Sequence, residues 1–278
     1  MLVVGDMKLD DIDNGLSNSG KAVIFHTSSY ESLGARLVEL SGLVPGEIEC
    51  KNFPDGERYH RLRTSVADRE ALIVSGTIND EETRELFDLC NAIVDGGASR
   101  LRVIMPYYGY STMERSVKSG EAVKAKYRAR LLSNAVPDAP LGNRFYFLDL
   151  HSDGIPQYFE NGAHAIHVYA KPIVVSAAIE LARKYGESGG NSNEATASPA
   201  SFVFASTDAG RMKWVESLAR DMGVPPAFAY KERIDGARTV SLGVSGPVHG
   251  NFVVIYDDMI RTGSSLLNAA NAYMTAGA

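Results

Sequence analysis

A chain of 278 residues with 45% hydrophobic residues is long enough to bury a sizeable core and to divide into two domains. The formal net charge of -6 excludes the basic face that general nucleic-acid binding requires. An anionic ligand must then be held locally, by helix N-termini, backbone amides, a few Lys and Arg, or a divalent cation.

The first 20 residues are polar and show no sustained period, so they read as a flexible extension outside the fold. GLSNSGK (15–21) has the spacing of a phosphate-binding loop, but Ala22 follows where Ser or Thr would meet the metal, and the glycines precede a strand instead of joining strand to helix. It is a chance match. From Lys21, short β-rich runs alternate with amphipathic stretches: AVIFHT (22–27), a helix near 29–41, a strand near 47–53, ALIVSG (71–76), a helix near 81–95 and RVIMPYY (102–108). Cys50 and Cys90 are too few for a disulfide framework and their spacing fits no metal motif, so both read as core or half-buried thiols. The longest apolar runs, such as 71–74 and 252–255, fall far short of the roughly 20 residues of a membrane span and follow no basic-apolar-small leader; the reading is a soluble cytoplasmic protein.

The second half repeats the plan with FYFLDLH (145–151), a helix opening at Pro172, FVFAST (202–207), a helix near 210–222, and FVVIY (252–256). A final helix follows, with Leu266, Ala270 and Tyr273 on one face. HAIH (164–167) has helical metal-pair spacing in an extended stretch, which suits surface or boundary histidines. GESGGNSNEATASPAS (186–201) reads as a mobile surface loop. The alternation predicts α/β architecture: two domains meeting near 160–168, each a mainly parallel sheet flanked by helices. Ligands of such sheets bind at the C-terminal strand ends, which here read Asp149-Leu150-His151, Ser206-Thr207-Asp208 and Asp257-Asp258, and the second domain is expected to gather all three.

VVIYDDMIRTGSSL (253–266) combines three requirements. A buried strand delivers two carboxylates to the sheet edge, where they can accept bonds from vicinal sugar hydroxyls or ligate a divalent cation. Thr262-Gly263-Ser264-Ser265 then opens a helix, offering N–H groups, hydroxyls and the positive dipole end to a phosphate. Taken alone, the stretch also suits an ordinary capped helix after a strand.

VVIYDDMIRTGSSL resembles the phosphoribosyl-diphosphate (PRPP) loop of phosphoribosyltransferases and PRPP synthetases (ribose-phosphate diphosphokinases). Five other segments are similar to the synthetases, in the same order: NFPDGERY (52–59), VIMPYYGYSTMERSVKSGEAVKAK (103–126), FLDLHSDGIPQYF (147–159), FASTDAGRMKWVESLA (204–219) and YKERIDGARTV (230–240). The resemblance implies two tandem phosphoribosyltransferase-like domains, 21–165 and 166–278, with ATP and ribose 5-phosphate as substrates and Mg²⁺ as cofactor. Phe53, Asp55 and Glu57, with Thr112, Met113, Glu114 and Arg115, would contact ATP. His151 and Asp208 would ligate or position Mg²⁺ on its phosphates. Asp257 and Asp258 would hold the ribose hydroxyls, one of them helping to bind a second Mg²⁺. Arg261, Thr262, Gly263, Ser264 and Ser265 would seat the 5-phosphate. Lys231 and Arg233, on a flexible loop able to close, would stabilise charge during diphosphoryl transfer. Because the family's Phe-x-Asp-Gly-Glu segment serves a neighbouring subunit, a dimer-based homo-oligomer such as a hexamer is expected, with no nucleic-acid or membrane partner.

Three departures stand out. Thr112-Met113 occupies the place of an ATP-contacting Arg-Gln, removing a charge-assisted donor that Lys118, Lys124 or Lys126 would have to replace. Arg261 stands where the synthetases commonly have Asp, and Ser264 replaces a usual Gly. The chain also stops at Ala278 where relatives continue, so further C-terminal sequence is expected to cover the last sheet edge. A catalytically inactive, synthetase-like regulatory subunit is the first alternative, favoured by Thr112-Met113 and opposed by the retained His151, Asp208, Lys231 and Arg233. A PRPP-consuming transferase is the second; the ATP-type segments oppose it.

Overall fold

The computed structural model describes residues 22–186, 202–234 and 239–278. The N-terminal extension, its GLSNSGK run and the stretch 187–201 lie outside those residues. Residue contacts divide the chain into two compact units, Met1–Tyr169 and Ala170–Ala278.

In the first unit, six strands form one parallel sheet in the order β2-β1-β5-β6-β7-β8. They are β1 (Val23–His26), β2 (Val44–Pro45), β5 (Glu70–Val74), β6 (Arg100–Met105), β7 (Asn143–Leu148) and β8 (His164–Val168). The central β5 is buried at Ala71 through Val74, the near-continuous apolar run of a strand covered on both faces. A separate antiparallel ribbon joins β3 (Ile48–Asn52) to β4 (Arg58–Leu62). The helices are α1 (Glu31–Ser41), α2 (Asp80–Asp95) and α3 (Lys124–Asn134). Asn79 caps α2 by accepting from the Glu82 N–H at 2.8 Å, and three acids in its first turn complement the dipole. Leu86, Leu89, Cys90 and Ile93 then recur at helical spacing and enter the core with Phe25, Ile73, Val103, Phe145 and Phe147.

The strand leading to Asp149-Leu150-His151 corrects the expectation that these residues join the second domain. β7 pairs with β6 from Leu101↔Asn143 to Met105↔Phe147, so its C-terminal end belongs to the first sheet. β8 extends that sheet through His164–Val168. Cross-strand burial, not the repeated βα pattern, decides membership.

The second unit carries a four-stranded sheet in the order β11-β10-β9-β12: β9 (Phe202–Ser206), β10 (Pro226–Ile234), β11 (Thr239–Ser245) and β12 (Phe252–Tyr256). β9 is parallel to both β10 and β12, while β10 and β11 form an antiparallel pair. Its helices are α4 (Lys171–Gly186), α5 (Met212–Met222) and α6 (Ser264–Thr275). Buried Ala269 and Tyr273, flanked by Leu266 and Ala270, form the inner face of α6.

Candidate active site

The residues expected to hold the sugar phosphate lie at the C-terminal ends of β9 and β12. The register Tyr256↔Ser206 sets the two strand ends side by side, which places Thr207 next to Asp257. Thr207 Oγ1 donates to Asp257 Oδ2 at 2.6 Å. Tyr273 on α6 donates its hydroxyl to the Ser206 carbonyl at 2.7 Å and fixes the end of β9. Two adjacent, half-buried acids need compensation, and it comes from a residue absent from the sequence-based set. Arg211 is buried and donates through one guanidinium nitrogen to Asp258 Oδ2 at 2.5 Å, with both side chains largely shielded from water. Such a shielded charge-assisted bond is among the stronger local contacts. Asp257 keeps a raised pKa, first because burial disfavours its charge and then because it shares a hydrogen bond with Asp258.

Asp208 begins the turn into α5. Its Oδ1 accepts from the Gly210 N–H at 2.7 Å and caps the short 3₁₀ turn Ala209–Arg211. Asp208 itself is exposed. After Asp258 the chain runs through exposed Arg261 and Thr262 to Gly263, whose φ of 78° is left-handed and favours glycine. α6 then opens at Ser264, with Thr262 Oγ1 2.9 Å from Ser264 Oγ and accepting from the Ser264 N–H at 3.4 Å. The first N–H groups of a 12-residue helix therefore stand beside three hydroxyl-bearing residues, Thr262, Ser264 and Ser265.

The residues expected to contact ATP lie on two exposed segments of the first unit. Phe53, Asp55 and Glu57 form the tip of the β3–β4 ribbon, closed by Phe53 N–H to Glu57 O at 2.8 Å and by Asp55 Oδ1 accepting from the Glu57 N–H at 3.1 Å. Phe53 is 45% exposed and faces solvent. The second segment follows β6. Tyr108 is buried, edge-on to Phe147 at 5.3 Å, and donates to the Ala125 carbonyl at 2.8 Å. Gly109 is forced: a Cβ there would fall 1.8 Å from the Thr77 carbonyl oxygen. Thr112 and Met113 occupy the 3₁₀ turn Ser111–Met113, and Tyr158 donates to the Glu114 carbonyl at 2.6 Å. Arg115 is exposed, 3.5 Å from the Glu114 carboxylate.

Cations gather beside this turn although the Arg-Gln pair is missing. Lys124 Nζ and the Arg128 guanidinium each stand 4.4 Å from the centroid of the Tyr110 ring, and Arg128 is also paired with Asp80. Of the three lysines considered, Lys124 comes to this position; Lys126 leans over Tyr158 at 6.0 Å.

His151 follows β7. The preceding Asp149 has φ 43° and donates its N–H to the Val168 carbonyl at 3.0 Å. His167 lies two residues before the division at Tyr169, as expected of a boundary histidine, and is half-buried and holds this loop: Nε2 accepts from the Leu150 N–H at 2.9 Å and Nδ1 faces Asp153 at 3.2 Å. Burial lowers its pKa, which keeps Nε2 free of a proton and able to accept. His164 is exposed.

Lys231 and Arg233 lie in β10, paired with Leu242 and Val240 of β11, where a loop was expected. Alternating β-prone residues on both sides of the intervening segment favour a ribbon over an irregular lid. Residues 235–238 are outside the described set.

Residues 22–135 match the model for the N-terminal domain of ribose phosphate pyrophosphokinase. A ribose-phosphate pyrophosphokinase of Fusobacterium nucleatum is 30% identical over 263 residues, covering 94% of this chain and 77% of its own. The chain belongs to the ribose-phosphate pyrophosphokinase family. A family member from Mycoplasma genitalium is 29% identical over 90% of this chain and 69% of its own. The crystal structure of phosphoribosylpyrophosphate synthetase from Mycobacterium smegmatis superposes with a TM-score of 0.75 at 26% identity, over 93% of this chain and 78% of that one. Against this family background, Arg211 and Thr207 are the site residues that sequence reading missed. Their only signal was position, immediately beside the Asp208 motif at a strand end.

Proposed function

We propose that this chain is a ribose-phosphate diphosphokinase: it transfers the diphosphoryl group of ATP to the 1-hydroxyl of ribose 5-phosphate, giving PRPP and AMP. Family membership supports the reaction class. The observation that carries the assignment of residues is the Thr207–Asp257–Asp258–Arg211 cluster ahead of the α6 N-terminus. In this reading Asp257 and Asp258 accept from the ribose hydroxyls, while Thr262, Ser264, Ser265 and the backbone from Gly263 onward seat the 5-phosphate with Arg261 as counter-charge. Phe53, Asp55 and Glu57 contact the nucleotide, and the turn Thr112–Arg115, with Lys124 substituting for the missing guanidinium, flanks its phosphates. Lys231 and Arg233 neutralise charge on the migrating diphosphoryl group.

The donor set fits Mg²⁺. Asp208 is an exposed carboxylate with one oxygen engaged by a backbone N–H, and Asp257 is a carboxylate whose charge burial makes costly, so a hard cation relieves it. Within the second unit, Asp208 would hold Mg²⁺ through oxygen and Asp257 would help to hold a second ion; in the first unit, His151 offers a nitrogen on the nucleotide side. The ion would supply charge neutralisation on the phosphates. Arg211 limits the need for metal by neutralising Asp258 from the protein side.

The domain ending near residue 169 takes the nucleotide and the following one the sugar phosphate. Exposure of Phe53 at a ribbon tip suits contact with a neighbouring subunit, and a dimer-based homo-oligomer follows. Among the described residues no helix is long and apolar enough to cross a membrane; a cytoplasmic location is part of this reading. The test is AMP release from ATP, Mg²⁺ and ribose 5-phosphate, with Lys231→Ala alongside and the assembly sized by light scattering. Tight ribose 5-phosphate binding without AMP release would instead establish the regulatory-subunit reading, and a fully active monomer would refute the shared-site assembly.

A further inference from the structure

A cluster of metal-ligating side chains lies outside the site described above, midway along the β3–β4 ribbon. Cys50 and His60 are direct cross-strand partners in that ribbon, and Glu85 projects from α2. One ligand atom from each of Cys50, His60 and Glu85 lies within 4.8 Å of the other two. Tetrahedral zinc holds neighbouring S, N and O ligands about 3.3–3.7 Å apart, so closure needs a contraction of up to about 1.5 Å. That is within the reach of side-chain rotation.

Three further features suit a cation. Asp88 Oδ2 stands 3.3 Å from His60 Nδ1; with Nδ1 engaged there, Nε2 would be the coordinating nitrogen, as in a carboxylate–histidine–metal arrangement. Glu85 is buried and anchored through Oε1, which accepts from the Ser28 N–H and Oγ at 2.9 Å each, leaving Oε2 as the donor. A cavity of about 620 Å³ opens onto the cluster and is lined by Glu31, Glu47, Glu49, Glu85 and Cys50, with Arg63 on its wall. Arg58 is the competing cation. It lies 3.7 Å from Glu85 Oε2 but 3.0 Å from Glu81, so a metal at Glu85 leaves it with its nearer partner.

We propose that Cys50, His60 and Glu85 bind a thiophilic transition-metal ion of the Zn²⁺ class, clamping the β3–β4 ribbon to α2. On binding, the Cys50 thiol loses its proton to solvent and the metal takes the thiolate, a neutral imidazole, a carboxylate and one water. A two-stranded ribbon is marginal by itself, so the clamp orders the hairpin that presents Phe53, Asp55 and Glu57. Cys50 itself is exposed, where a core or half-buried thiol was expected, so a metal reaches it from solvent.

The test is titration of the reduced full chain with Co²⁺ as the spectroscopic probe, followed by displacement with Zn²⁺. One Co²⁺ per chain with a thiolate-to-cobalt charge-transfer band is expected, erased by Zn²⁺ and absent in Cys50→Ser. Asp88→Asn, a partly exposed position chosen to preserve the fold, should weaken binding by about 10- to 100-fold. Zn²⁺ should also slow amide exchange across the ribbon. Absence of the band, its persistence in Cys50→Ser, or unchanged affinity in both Asp88→Asn and His60→Gln would overturn the site; the last outcome would mean simple thiol capture.

Discussion

The two half-sites differ in how they are made. The acid pair at the end of β12 is compensated by its own domain: Arg211 and Thr207 come from the neighbouring strand end, and Tyr273 pins that strand from beneath. The residues expected on the nucleotide side rest on an exposed ribbon tip and a short turn, the tip closed by its own Phe53–Glu57 bond and the turn held by Tyr108, Gly109 and Tyr158. A charge cluster that must exist before ligand arrives has to carry its counter-charge within the fold. A surface that meets a large, flexible polyanion can leave more of its ordering to the ligand or to a neighbouring subunit.

The sharpest way to break this contrast is Arg211→Ala. Removing one partner of a shielded ion pair leaves Asp258 uncompensated beside Asp257, and a loss of about 3–5 kcal/mol in stability is expected in denaturant titration. Arg211→Ala with Asp258→Ala should recover most of that loss, since both charges are then gone. No recovery would mean that Arg211 acts through packing, not charge. Next in size is Lys231→Ala, expected to lower AMP release by about a hundredfold or more while ribose 5-phosphate affinity, read by calorimetry, changes less than about twofold. Equal losses in both would move Lys231 to the sugar-binding half.

A smaller effect is expected on the nucleotide side. Lys124→Ala should raise the ATP KM by about fivefold with little change in folding stability, as for loss of one exposed cation–phosphate contact. An unchanged KM would assign the compensation to another cation. The smallest effect is pH-dependent and has opposite signs in the two units. His167 is pushed below its ordinary 6.5 by burial, so its contribution is complete above pH 6.5 and is lost as pH falls through the lowered value. Asp257 is pushed above 3.8, so its contribution is complete below 3.8 and is lost as pH rises through the raised value. NMR titration of the two side chains checks both directions; a His167 inflection above 6.5 would contradict the acceptor role of Nε2 toward Leu150.

Much of the fold was legible because strands buried on both faces and amphipathic helices write their periods into sequence. ALIV at β5, FVFAS at β9 and FVVIY at β12 fall where the apolar runs predict. β4 and the β10–β11 ribbon were missed because their alternation is weak or polar, as in the RYHRL of β4, whereas β8 was read as extended at HAIH. α3 was missed because KAKYRARLLSN carries many charges on its outer face. The Asp257-Asp258 pair and the hydroxyl-rich start of α6 were legible, since adjacent carboxylates between a buried strand and a helix are chemically conspicuous. Arg211 was not: an arginine directly after a glycine looks like any solvated charge until β9 and β12 pair. The metal reading of Cys50 was equally hidden, because its partners come from the facing strand and from a helix 35 positions away in sequence at Glu85.

Sequence by itself determined the α/β class, the strand ends expected to meet ligands and the identity of the acid pair, because burial period and side-chain chemistry are local properties. Tertiary structure decided which sheet received His151, what neutralised Asp258, and which cations stand beside Thr112-Met113. Those depend on strand register and close packing between segments far apart in the chain, and no local pattern encodes the distance between them.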